Sequence, residues 1–164
     1  MQLNGLIFTL PKEIKVLIGA FVIVLSIGFY TGLLFVGETS SANPNGIEEQ
    51  YLGNENDEDA EVMRFKKSPK EMLTLVHNHI LSMSIIFFLV GLLVSITKLN
   101  KKLKMVLIIE PFISVILTFG GLYLLWAGML WMKYVVMFSG LLMTLTFTVS
   151  TLIVLKQLLQ KTKI

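Results

Sequence analysis

Four long apolar blocks, at 16–37, 73–97, 105–126 and 134–155, leave this chain few ways to fold. Each has about 20 residues or more, enough to cross a hydrocarbon core of roughly 30 Å at 1.5 Å per residue. In lipid, only helices and closed barrels satisfy their own backbone groups. The blocks are continuously apolar and too long for barrel strands, so they are predicted to be helices. The expected fold is all-α: an integral membrane four-helix bundle, one membrane domain over residues 1–164. The helices are placed at about 14–37, 68–98, 104–127 and 132–158, with an acidic outer loop at 38–67.

The first block follows Lys12 and Lys15 and precedes Ser40-Ser41-Ala42, which imitates a signal peptide. Its apolar run of about 21 residues exceeds the 7–15 of a signal core, so it reads as an uncleaved first helix. Residues 1–12 form a short, partly apolar lead-in.

Lysine placement gives the expected orientation. The N-terminal flank, the 98–104 link and the C-terminus carry nine of the fourteen basic residues and a single acid, Glu13. The segment 38–71 carries nine of the eleven acids. Both termini are therefore expected in the cytoplasm, as an even number of spans requires. The net charge of +3 is an ordinary positive-inside excess and gives no reason to expect nucleic acid as a partner. The expected partners are the lipid bilayer and either other membrane proteins or further copies of this chain.

Local signals are sharpest at Ser68-Pro69-Lys70-Glu71, where Ser68 is placed as N-cap, Pro69 at the first helical position and Glu71 as the return arm of a capping box. Ser40–Gly46 has the composition of a turn, and Asn54–Glu61 is strongly acidic. Pro111 is expected to kink the third span or free a carbonyl. Trp126, Trp131 and Tyr134 suit an interfacial belt. Gly28 and Gly32 have the G-xxx-G spacing of close helix contacts, and Ser84, Gly91, Gly140 and Thr144 are further small residues placed on packing faces.

Three ionisable residues fall within or beside the apolar spans: His77, His79 and Glu110. Such groups are costly in lipid and often functional. His77 and His79 are about 200° apart around a helix, so they cannot both ligate one ion from a regular helix. His77 shares a stripe with Ser84, Gly91 and Ser95 and is expected to face inward; His79 shares the more apolar side of Met83, Ile86 and Val90. A haem or metal ligand is one reading of the pair, with haem b or copper as the groups such side chains take, because methionines including Met83, Met129, Met132 and Met137 lie at similar depth. The other reading is two interfacial histidines bonded to the loop or to headgroups. Glu110 shares a stripe with Ser114, Thr118 and Gly121 and lies about 20 Å from the histidine level. Its roles are polar packing or proton handling.

Cysteine is absent, which excludes disulfides, thiolate metal sites, cysteine catalysis and covalent c-type haem. No nucleophile–base–orienter set, phosphate loop or H-E-x-x-H motif can be assembled, so independent catalysis is not expected.

The run Leu75-Val-His77-Asn-His79-Ile-Leu-Ser-Met-Ser-Ile-Ile-Phe87-Phe88-Leu-Val-Gly91 resembles an H-x-H…IFFLxG pattern of uncharacterised bacterial multi-helix membrane proteins. The resemblance continues through Lys102–Lys104, Pro111-Phe112 and Ser139-Gly140. Some longer proteins of that kind carry a c-type cytochrome segment between their first two helices. The resemblance implies a bacterial inner-membrane component near respiratory electron transfer, with His77 and His79 matching the motif histidines. The expected function is a small accessory subunit of a respiratory or other redox complex, with a histidine-ligated cofactor on the outer side. The alternatives are a structural or assembly subunit without a cofactor and, more weakly, an ion or small-molecule carrier.

Overall fold

The computed structural model of the chain describes residues 3–40, 43–55 and 62–160. A short 3-10 turn at Leu6–Thr9 precedes α1 (Lys12–Ser40), α2 (Pro44–Leu52), α3 (Pro69–Ile96), α4 (Lys101–Val115), a π-helical turn at Ile116–Gly120, α5 (Gly121–Trp126) and α6 (Met132–Leu159). α4, the π turn and α5 run on as one span. Among the described residues, four helices, Lys12–Ser40, Pro69–Ile96, Lys101–Trp126 and Met132–Leu159, are thus long and apolar enough to cross a membrane. The chain is an all-helical, multi-pass membrane protein.

Helix starts follow side-chain chemistry. Ser68 Oγ accepts from Glu71 N at 3.3 Å, and Glu71 Oε2 accepts from Ser68 N at 2.8 Å, closing the capping box with Pro69 in the first turn. Asn100 caps α4 by accepting from Leu103 N at 2.8 Å. The Ser40–Gly46 run, which reads as a turn, is also a helix start. Asn43 Oδ1 accepts from Gly46 N at 2.8 Å with Pro44 in the first turn, so α2 forms inside the acidic segment. Gly46 permits this because a Cβ there would stand 1.9 Å from Ser40 O at the end of α1. Asn54–Glu61 lies mostly outside the described residues.

The central members of the bundle are Lys101–Trp126 and α6, whose apolar stretches are 44% and 39% buried, against 22% for α3 and 11% for α1. α1 is held by few anchors. Val22 is buried, the Phe29 ring stacks on Phe147 at 3.9 Å with Phe87 edge-on, and the Tyr30 and Thr148 hydroxyls bond at 2.7 Å. The third span passes through Pro111 as a helix, and its departure from α geometry comes at Ile116–Gly120.

Each end is fastened differently. At the lysine-rich end the lead-in seats Ile7 in a fully buried position, and Gly5 N donates to Thr97 O at 3.3 Å. Lys104 Nζ donates to Thr97 O, Ser95 O and Asn4 Oδ1 at 2.7–2.9 Å. The Gln157 amide grips both backbone groups of Lys98, accepting from N at 2.7 Å and donating to O at 3.2 Å. At the acidic end, α2 is tied to α6 by Lys133–Glu48 at 2.6 Å, and Trp126 Nε1 donates to Lys67 O at 2.8 Å. Arg64 donates to Thr39 O and to Gln50 Oε1, tying the segment before α3 to α1 and α2.

Candidate functional site

The inward face of α3 is set by bulk. Met72, Phe87, Val90, Gly91 and Val94 are its buried residues. His79, seven residues after Met72 and eight before Phe87, falls on that face. It is half-buried, with its ring 4.8 Å from that of Phe119 on the π turn. His77 is exposed. This reverses the expected facing: the stripe of small residues is a weaker guide than the apolar bulk that packs against α4 and α5. The two histidines are not brought together.

His79 Nδ1 lies 2.8 Å from Leu75 O. A carbonyl oxygen can only accept, so Nδ1 carries a proton, and in the neutral ring Nε2 holds the lone pair. The ring lines an open concavity on the side of α3 together with Lys70, Glu71, Thr74, Leu75 and Asn78. Among the described residues no three His, Cys, Asp or Glu side chains converge on one point, Met132 is packed in the core and Met129 is exposed. What the site offers is a single imidazole whose orientation is fixed through its other ring nitrogen.

Glu110 is half-buried in the middle of the third span. The Gly91–Ile108 approach sets the α3–α4 register and leaves Glu110 roughly 15 Å along the axis from His79. Ser114 Oγ donates to Glu110 Oε1, while Oε2 is buried with no partner. One turn further on, Thr118 of the π turn shares a 2.7 Å hydrogen bond with Ser139 of α6, both buried. Ser150, 1% exposed, lies on the Ser139 face of α6 eleven residues later, and its Oγ is also unpartnered. Thr118 belongs to the stripe that the sequence assigns to Glu110. Ser139 and Ser150 were missed, and their helical spacing is the signal that could have found them.

The remaining expected packing residues are placed as follows. Gly91 is buried, and a Cβ there would stand 3.8 Å from Ile108 Cγ2; Ser84 is half-buried. Gly28 and Gly32 are exposed, and beyond the backbone of α1 itself no atom lies within 4 Å of where a Cβ would stand at either, so among the described residues the G-xxx-G run meets no other helix. Gly140 also has open space, and Thr144 Oγ1 donates to Gly140 O of its own helix at 2.8 Å. Between the spans, a close approach unread in the sequence is at Gly121, where a Cβ would meet Val136 Cγ2 at 2.9 Å.

A family described as a transmembrane helical domain, Aq_1264_TM, matches residues 41–164. The chain belongs to that family. The Aq_1264_TM match covers α2 and three of the four spans and leaves out α1, the least buried of them. No curated protein and no solved structure matches the chain.

Proposed function

We propose that this Aq_1264_TM protein is a small accessory subunit of a membrane redox complex in the bacterial inner membrane, and that His79 is its point of contact with a redox group. The observation that carries this reading is the tethered imidazole: Nδ1 is committed to Leu75 O, which leaves Nε2 as the ring's acceptor, and the residue lines an open concavity. The concavity is lined by α3 alone, so a group there would be covered by another chain. The resemblance to longer proteins with a cytochrome segment before the matching helix supports the same end of the bundle. A haem bound there would supply electron transfer. His79 of this chain would hold it, with the Phe119 ring beside the imidazole.

The test is the visible spectrum and metal content of the complex purified from native membranes, for wild type, His77→Ala and His79→Ala. A haem signal that is altered in His79→Ala and kept in His77→Ala is expected. Absence of any haem from the native complex, or equal effects of the two substitutions, overturns the reading. A second reading, a structural subunit without a cofactor, is favoured by one observation: the Phe119 contact and the Leu75 bond already account for His79 as a packing residue.

A further inference from the structure

We propose that Glu110 is a proton-exchanging carboxyl within the membrane, a site independent of His79. The argument starts from acceptor capacity. An ionised carboxylate offers about four lone-pair positions. Here Ser114 fills one on Oε1, and Oε2 is buried with no hydrogen-bond partner among the described residues. A charge so placed needs a counter-charge or several donors.

Neither is at hand. The buried residues of α3 near this depth are Phe87, Val90 and Gly91, and those of α6 are Met143, Thr146, Phe147 and Ser150; none carries charge. The ionisable group that α1 brings to this region is Tyr30, whose hydroxyl is engaged by Thr148. The nearest cation on the same helix is Lys104, about 9 Å along the axis, and its Nζ is committed to Asn4, Ser95 and Thr97. Lys156 of α6 is exposed at the lysine-rich end.

The proton is therefore the cation that this site can take. Hard metal cations need several converging oxygens, whereas a proton needs one. The hydroxyls around the carboxyl suit exchange, because a hydroxyl both donates and accepts. By the Thr118–Ser139 pairing, Ser150 lies on the α6 face opposite α4, about one turn nearer the lysine-rich end than Glu110. It stands on the shorter path to water, with its Oγ uncommitted. The step is simple: the carboxylate takes one proton from the aqueous phase at the lysine-rich end and becomes the neutral acid, and the reverse step returns it. The π turn beside this site breaks helix regularity where such turns are frequent, at functional positions.

The experiment uses the full chain in liposomes and two readouts. Infrared titration should show a carboxylic acid carbonyl band that grows on acidification and is missing in Glu110→Gln. Dicyclohexylcarbodiimide should label Glu110 of the wild type. The acid proton passes to a carbodiimide nitrogen, the carboxyl oxygen adds to the central carbon, and acyl migration gives an N-acylurea with no leaving group. Mass spectrometry should find that adduct on Glu110, falling as pH rises. The labelling needs no variant, so it decides the matter even if Glu110→Gln fails to fold. A carbonyl band or labelling that ignores pH, or no adduct on Glu110 at any pH where the protein stays folded, overturns the proposal.

Discussion

Ser68 shows how far a single residue can be read from sequence. Its spacing to Glu71 is a local rule, and the hydroxyl and carboxylate meet the backbone groups that the rule names. Ser68→Ala should cost about 0.5–2 kcal/mol at the start of α3, seen as faster hydrogen exchange of the Glu71 and Met72 amides; unchanged protection would mean that the cap contributes nothing. His79 marks the limit of such reading. Its identity and depth are legible, but its facing depends on which side of α3 the other helices cover. In a soluble helix, polar residues mark the outer side. In α3 both sides are apolar, with exposed Leu81, Ile85 and Phe88 as hydrophobic as buried Phe87 and Val90, so that contrast is lost. The same holds for Glu110: its stripe with Ser114 and Thr118 is visible, whereas its orphaned oxygen and Ser150 exist only once α6 is docked.

Elements were legible where length and capping decide them. The four spans follow from apolar runs alone. α2 was hidden because Asn, Pro and Gly signal turns and helix starts alike, and its nine residues are too few to show periodicity. The π turn was hidden because it answers to tertiary demands: it presents Thr118 to Ser139 and is followed by Gly121 beside Val136. Close approach, and not the G-xxx-G spacing, distinguishes the glycines. Gly121→Ala would push a Cβ to within 2.9 Å of Val136 Cγ2 and should destabilise the protein by about 1–3 kcal/mol. Gly28→Ala, with open space around it, should leave the stability of the single chain unlowered. Thermal unfolding in one detergent compares them; equal losses would mean that α1 packs more tightly than its anchors indicate.

At the scale of the whole molecule, the two ends carry opposite instructions. The lead-in, the 98–104 link and Gln157 are fastened into one lysine-rich end, while α2, Arg64 and Trp126 build the acidic end. Lysine near a span is held on the cytoplasmic side during insertion, and acids contribute little, so the lysine-rich end should be the cytoplasmic one. The charges of the acidic end do not contradict this. Of its five cations, Arg64, Lys66 and Lys133 are engaged with Gln50, the Trp126 ring and Glu48, contacts that such a segment could make after crossing. A reporter that works only in the cytoplasm should therefore be active when fused after Ile164 and silent when inserted near Asn54. Lys98→Gln combined with Lys101→Gln and Lys102→Gln should weaken that bias without touching Lys104, whose ammonium holds the end of α3. Activity at Asn54 in the wild type would invert the orientation, and with it the side from which Glu110 meets protons.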